Sequence, residues 1–359
     1  MIQILALVAL VWWGGQLLRF SRAVRLSLLA LLYLAVLLIQ LTLPDGAPLR
    51  EATGGSPATW LILAGVVVLI VGYSGVLRRL RARAQPPEDT IKTEDAPLFS
   101  ETELNRYARH IVLRELGGQG QKRLKEARVL VIGAGGLGAP ALQYLAAAGV
   151  GTIGVIDDDT VENGNLQRQV IHTDAAIGTP KVFSAQAAME AQNPYATVRP
   201  YHRRLTAEIA AELFAEYDLI LDGTDNFDTR YLVNRAAVAR GVPLISGALS
   251  QWEGQVSVFD PAEGAPCYEC IFPEAPAPGL APSCSEAGVL GPLPGVIGAM
   301  MAVEAIKVIT GAGAPLRGQL LIYDAFSGET RKIAMKPRSD CPVCGPQAAV
   351  VAPTGATGS

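Results

Sequence analysis

Gly133, Gly135, Gly136 and Gly138 stand in the order Gly-Ala-Gly-Gly-Leu-Gly, directly after the apolar run 128–132 and ahead of a segment of helical composition. Glycines at this spacing let a backbone turn tightly and approach a phosphate closely. The helix behind them presents unpaired N–H groups and a partial positive charge. Asp157 closes the next apolar run, 151–157, where a carboxylate accepts hydrogen bonds from ribose hydroxyls. The plain alternative is a turn carboxylate, because Asp157, Asp158 and Asp159 are consecutive and only one need face inward. This much predicts an adenosine ligand and leaves the reaction open.

The cations narrow the reaction. Hydride transfer needs a nicotinamide pocket and breaks no phosphate bond, whereas nucleotidyl transfer has to neutralise charge on a leaving pyrophosphate. Arg109, Arg168 and Lys181 can supply that neutralisation, with Asn165 and Gln167 beside Arg168. Each alone reads as a solvated surface charge, so the argument rests on the set. Asp225, in Asp222-Gly-Thr-Asp225-Asn226, follows the run 218–222 and is an oxygen ligand suited to Mg²⁺, with Asp222 a second carboxylate nearby. The same Thr-Asp-Asn cluster also reads as the N-cap of a helix over 227–240, and the two readings are compatible. The chain has no G-x-x-x-x-G-K-[ST], which excludes an ordinary P-loop NTPase.

Cys267-x-x-Cys270 and Cys341-x-x-Cys344 have the spacing of a tetrahedral thiolate zinc site that would tie the end of the chain back to its middle. The alternatives are two unrelated pairs or redox-active thiols. The fifth cysteine, Cys284, lies in a proline-rich stretch that reads as a crossover above the site.

Positioning these residues requires strand ends. Short β-branched runs at 128–133, 151–157, 196–202, 218–222, 243–247, 255–260 and 319–324 alternate with helical patterns at 137–148, 181–192, 207–216, 227–240 and 294–310. The alternation predicts an α/β fold: a Rossmann-like, doubly wound, mostly parallel sheet with an antiparallel extension late in the chain and a structural zinc site. In such sheets ligands bind beyond the carboxyl ends of the strands, where Gly133, Asp157 and Asp222 fall.

The chain has 359 residues, is 50% hydrophobic and carries a net charge of −3, which gives no global attraction to nucleic acid. Its apolar character is concentrated in three charge-free runs, 2–18, 26–43 and 60–77. At about 1.5 Å per residue each just crosses a hydrocarbon core of about 30 Å, which predicts three transmembrane helices. Arginines at 19, 22, 25, 78, 79, 81 and 83 then place both flanking clusters in the cytoplasm, giving a multi-pass protein of the inner membrane with a cytoplasmic catalytic domain. The expected organisation is a membrane anchor over 1–83, a linker over 84–98, a catalytic domain over 99–345 and a disordered tail over 346–359.

Across 99–345 the chain resembles the MoeB/ThiF adenylyltransferases, relatives of ubiquitin-activating enzymes. The resemblance is carried by Arg106-Tyr-Ala-Arg109-His, the glycine loop, Asp157-Asp-Asp159, Asn165-Leu-Gln-Arg168-Gln, Thr179-Pro-Lys181-Val, Asp222-Gly-Thr-Asp225-Asn226, Gly247-Ala with Glu253-Gly-Gln, the two cysteine pairs and Glu286-Ala-Gly-Val-Leu-Gly-Pro. It implies ATP-dependent adenylation of the C-terminal glycine of a ubiquitin-like sulfur-carrier protein ending in Gly-Gly, with release of pyrophosphate. Molybdopterin-synthase adenylyltransferases are the most similar, so the implied carrier is the small subunit of molybdopterin synthase. The thiamine-pathway carrier is the alternative, and a membrane NAD-dependent oxidoreductase or a degenerate binding scaffold are the readings from other classes. By the same resemblance Asp225 holds Mg²⁺, Asp157 the ribose, and Arg168 and Lys181 the triphosphate. Gly136, Gly164, Asn165, Leu166, Gln167 and Asn226 would line the nucleotide, the four paired cysteines hold Zn²⁺, and Arg109 reaches the neighbouring site of a homodimer. Cys284 matches a position that bonds to the carrier in ThiF-like members and is not required in MoeB-like ones. No rhodanese domain follows, so another protein is expected to donate the sulfur.

Overall fold

The computed structural model describes residues 7–17, 20, 22–54, 56–66, 69, 72–73, 97–277 and 287–346. The chain divides into two compact units, Met1–Ala96 and Pro97–Ser359.

In the first unit the described residues form a π-helical turn Leu10–Gly14 with Gly15–Leu17, a helix Arg22–Thr42, a short helix Pro48–Ala52 and a helical stretch over 57–66. These correct the expected three-span anchor. The apolar part of the second run, Ser27–Thr42, is shorter than a span, and so is Pro57–Val66 in the third. Among the described residues the one helix long and apolar enough to cross a membrane is Pro292–Thr310, and half of it is buried inside the second unit. The remainder of runs 2–18 and 60–77, most of the expected linker, and residues 347–359 of the expected tail lie outside the described residues.

The second unit is built on one eight-stranded sheet of order β3-β2-β1-β4-β5-β6-β7-β8. Its strands are β1 (Arg128–Ile132), β2 (Thr152–Ile156), β3 (Thr197–Tyr201), β4 (Leu219–Asp222), β5 (Leu244–Leu249), β6 (Glu253–Phe259), β7 (Gln319–Asp324) and β8 (Glu329–Ala334). Strands β3 to β5 are mutually parallel. β6, β7 and β8 continue the sheet antiparallel, the extension the sequence predicts. The main helices are α1 (Gly117–Glu126), α2 (Gly138–Ala148), α3 (Lys181–Gln192), α4 (Ala207–Phe214), α5 (Phe227–Arg240) and α6 (Pro292–Thr310).

Period-two alternation sends successive strand residues to opposite faces. Val129 and Val131 of β1 and Leu219 and Leu221 of β4 join the core under α2, α3 and α6. Leu130, Ile132 and Ile220 join the core under α4 and α5. Helices on both faces explain why the inner strands read as unbroken apolar runs. Pro200 is tolerated in β3 because that strand is an edge.

Two of these strands and main helices escaped the sequence reading. β8 is exposed at all six residues and carries Arg331 and Lys332, so it has neither apolar alternation nor bulk; charge of that kind guards an edge against pairing with other chains. α1 begins Gly-Gly-Gln-Gly, a composition that argues against helix, yet Gly120 is required there. A Cβ on Gly120 would lie 2.8 Å from Cγ of Leu116.

Candidate active site

A cleft of about 710 Å³ opens beyond the carboxyl ends of β1, β2 and β4, lined by Gly133, Gly135, Gly136, Asp157, Arg168 and Lys181 and, opposite, by Asp225 and Asn226. Parallel strands twist apart there, and the sheet order reverses between β1 and β4, the switch point at which open α/β sheets bind ligands.

The glycines act differently. Gly133 has φ of 91°, open to glycine at no steric cost. Gly138 sits where a Cβ would fall 1.8 Å from the Gly133 carbonyl oxygen, so it sets the contact between α2 and β1 and does not line the cleft. Gly135 and Gly136 face the cleft itself.

Asp157 accepts the Ala134 N–H on Oδ2 at 2.7 Å and the Asp159 N–H on Oδ1 at 2.8 Å. The turn role therefore holds, and the carboxylate braces the glycine loop besides facing the cleft. His172, which the sequence reading passed over, holds the same loop from the other side. Its Nε2 lies 2.9 Å from the Ala134 carbonyl and its Nδ1 2.9 Å from Ser184 Oγ. Burial pushes the His172 pKa down, and with it goes any tendency to charge.

Lys181 opens α3 with its side chain buried and its Nζ 2.7 Å from Asp159 Oδ2. Arg168 donates to the Gly164 carbonyl at 3.1 Å and to Asn165 Oδ1 at 3.2 Å, and has no carboxylate partner among the described residues. It is the cation of this site that local hydrogen bonds orient while its charge stays uncompensated. Gly164, Asn165, Leu166 and Gln167 form the turn that carries Arg168 and do not themselves line the cleft. Arg203 and Arg204, just past β3, do line it and were not foreseen; Arg204 pairs with Asp158 at 3.3 Å.

Asp222 ends β4 fully buried. Its carboxylate accepts from the Thr224 N–H at 3.0 Å, from Ser246 Oγ at 3.2 Å, and faces Arg230 at 3.5 Å. Arg230 in turn donates to Ser246 Oγ at 2.9 Å, to the Gly247 carbonyl at 2.8 Å and to the Thr224 carbonyl. A carboxylate so engaged is no second metal ligand. Asn226 caps α5, its Oδ1 accepting the Thr229 N–H at 2.9 Å. Capping thus falls to Asn226, and Asp225 stands exposed on the cleft wall without a hydrogen-bond partner among the described residues. An exposed oxygen ligand on that wall fits a Mg²⁺ ion that keeps most of its waters.

Arg109 is exposed on the short helix Ala108–Ile111 and does not line the cleft of its own chain. Cys284 and Glu286 lie outside the described residues.

The four paired cysteines converge. Their Sγ atoms lie within 4.8 Å of one another, with Cys267 3.6 Å from Cys341 and Cys270 3.3 Å from Cys344. Four thiolates about 2.3 Å from zinc stand roughly 3.8 Å apart, so the set fits the ion. Burial raises the Cys267 and Cys344 thiols, a cost that a bound cation offsets. The cluster joins the short helix Tyr268–Ile271 to the turn after β8.

Fold and cleft define a class, the doubly wound α/β enzymes that hold a nucleotide at the switch point of the sheet. Within it, the chain belongs to the ThiF family, whose pattern matches residues 107–343. It is 52% identical over 251 residues to a sulfur carrier protein adenylyltransferase of Thermus thermophilus, covering 69% of this chain and 93% of that one. It is 53% identical over 246 residues to the probable adenylyltransferase/sulfurtransferase MoeZ of Mycobacterium tuberculosis, covering 68% of this chain and 63% of that one. The fold matches E. coli MccB in complex with MccA-N7isoASN at a TM-score of 0.61 and 23% identity, over 68% of this chain and 76% of that one. The chain is accordingly an enzyme of the nucleotidyltransferase class. Among the described residues Pro292–Thr310, half buried, is the one helix long and apolar enough to cross a membrane, and with relatives that are adenylyltransferases the multi-pass inner-membrane localisation does not stand.

Proposed function

We propose that this enzyme adenylates the C-terminal glycine of a ubiquitin-like sulfur-carrier protein ending in Gly-Gly, using ATP and releasing pyrophosphate. The observation that carries the reading is the pairing pattern in the cleft. Lys181 and Asp222 are engaged, whereas among the described residues Arg168, oriented by local hydrogen bonds, and Asp225, open on the wall, meet no opposite charge, one for phosphate and one for a metal. The 52% identity to a sulfur carrier protein adenylyltransferase supports the substrate class.

In this reading the glycine loop and Arg168 receive the triphosphate, Lys181 exchanges Asp159 for a phosphate oxygen, and Asp157 keeps the loop braced while facing the ribose. Bound at Asp225, Mg²⁺ would neutralise phosphate charge. The carrier carboxylate attacks the α-phosphorus, forming the acyl–phosphate bond as the bond to pyrophosphate breaks. Two anions have to meet for that, so cancelling their repulsion and aligning them is the work of the site. Zinc at the four cysteines is structural. Arg109, which does not line its own cleft, completes the site of a second copy in a homodimer.

The favoured carrier is the small subunit of molybdopterin synthase, with the thiamine-pathway carrier as the alternative. ATP–pyrophosphate exchange measured with each carrier, and with each lacking its terminal glycine, tests both levels. Exchange that ignores the carrier, or nicotinamide binding without ATP binding, overturns the proposal; exchange with the thiamine carrier alone overturns the finer choice.

A further inference from the structure

We infer that His172 is a positioning residue of the nucleotide site, tying the glycine loop to the helix that carries Lys181. The inference rests on the nucleotide reading above and goes beyond it, because His172 does not itself line the cleft and acts on it only through the glycine loop and α3.

The geometry is a residue held at both of its backbone groups, in two successive peptide units. Asp157 takes the Ala134 N–H at 2.7 Å, and His172 Nε2 lies 2.9 Å from the Ala134 carbonyl. A carbonyl only accepts, so Nε2 carries the proton. Nδ1 is then the acceptor, receiving the Ser184 hydroxyl at 2.9 Å. Both partners are buried, His172 at 6% and Ser184 at 9% exposure, so water does not substitute for either bond.

The consequence follows from peptide planarity. In a trans peptide the carbonyl and the next N–H point in opposite directions. Fixing the Ala134 carbonyl toward His172 therefore turns the Gly135 N–H away from it, and Gly135 lines the cleft. Without a side chain, Gly135 has no steric means of keeping that orientation. Ser184 lies on α3 one turn beyond Lys181, so the same imidazole sets the spacing between the loop and the lysine. The charged groups that act on the ring are Lys181, which opposes its protonation, and Asp157, which favours it; burial is the larger influence and keeps the ring neutral.

The test uses the full chain, with ATP affinity measured by calorimetry and Tm recorded for each variant. Gln at position 172 places an N–H donor near the position of Nε2 and keeps the bond to Ala134, whereas Asn is too short to reach. His172→Asn is expected to weaken ATP about tenfold or more, His172→Gln to stay within about threefold of the unaltered chain, and Ser184→Ala to weaken ATP a few-fold. Unchanged affinity in His172→Asn, or equal weakening in the Asn and Gln variants, overturns the inference. If neither histidine variant folds, Ser184→Ala decides it: unchanged affinity there overturns it. An unaltered chain that binds no ATP overturns the proposed function, and this inference with it.

Discussion

Lys181 and Asp159 are joined twice: the ammonium lies 2.7 Å from the carboxylate, and the Lys181 N–H donates to the Asp159 carbonyl at 2.9 Å. The lysine is thus anchored by its own backbone as well as by its side chain. The carboxylate is about two-thirds exposed and the ammonium stem is buried. Asp159 thus neutralises the cation from the solvent side.

Replacing Asp159 by Asn separates shielding from anchoring. The backbone bond stays, the competing charge goes, and the cleft becomes one unit more positive. ATP is expected to bind about three- to tenfold more tightly at low salt, by calorimetry. The nucleotide-free chain is expected to lose up to about 1 kcal/mol, because the ammonium keeps an amide oxygen as acceptor and loses its counter-charge. Weaker ATP binding in this variant would show that the carboxylate is needed to aim the lysine.

Asp225 and Asn226 are neighbours with separable work. Asp225→Asn is expected to slow carrier-dependent exchange at least about a hundredfold with Tm unchanged, since metal-assisted charge stabilisation is worth several kcal/mol. Asn226→Ala removes a cap and should cost about 1 kcal/mol of stability. Urea denaturation beside exchange rates distinguishes the two; equal stability losses would contradict the division.

Stability should fall on acidification in two windows. His172 has a folded pKa pushed below the ordinary 6.5, so the unfolded chain takes up its proton first. Stability is full above that value and declines as pH drops below it, by up to about 1.4 kcal/mol per pH unit until the folded chain also protonates. Glu103 is held below the ordinary 4.5 although burial opposes this, because Lys125 and Ser100 hydrogen-bond its carboxylate. Its contribution is present above 4.5 and is lost as pH falls through the lowered value. Denaturation midpoints from pH 8 to 2 should show the upper window disappear in His172→Gln and the lower one persist.

One zinc ion per chain is the expected stoichiometry by elemental analysis of protein purified without chelator. Cys341→Ser should release the metal and lower Tm, because the segment after β8 is tied to the helix Tyr268–Ile271 through this cluster. Full metal content in that variant would contradict a four-thiolate site.

A fragment beginning at Pro97 should remain folded and active. Its first helix is closed by a capping box between Ser100 and Glu103, and Glu103 is paired with Lys125 of α1 at 2.5 Å. Tyr107 Oη accepts from Asn193 at 2.8 Å, fastening the same region to the end of α3. Cutting a further ten residues removes the cap and the ion pair and is expected to lower Tm by about 4 °C or more.

Much of this was legible in the chain. The runs at 128–133, 151–157 and 218–222 appear as β1, β2 and β4, and the helices over 181–192 and 227–240 appear with those limits. β-branched runs between turn signals and a helical period are local properties, readable wherever the segment lies. β8 and α1 were not legible, since an exposed edge strand needs no apolar pattern and the glycine of α1 answers to a close approach by Leu116 that local composition does not show. The expected membrane spans are not supported: among the described residues the one helix long and apolar enough is Pro292–Thr310, and half of it is buried.

What the sequence determined by itself was the inventory and its placement at strand ends: the glycine loop, Asp157, Arg168, Lys181, Asp225 and the two cysteine pairs. Only the tertiary structure decided which charges are already answered. Asp159 meets Lys181 across 22 positions, Asp222 meets Arg230 and Ser246 beneath the loop, and Asn226 takes the cap that leaves Asp225 open. Residue type fixes what a side chain can donate or accept. Whether that capacity is spent inside the protein depends on which partners the folded sheet brings within about 3 Å of it.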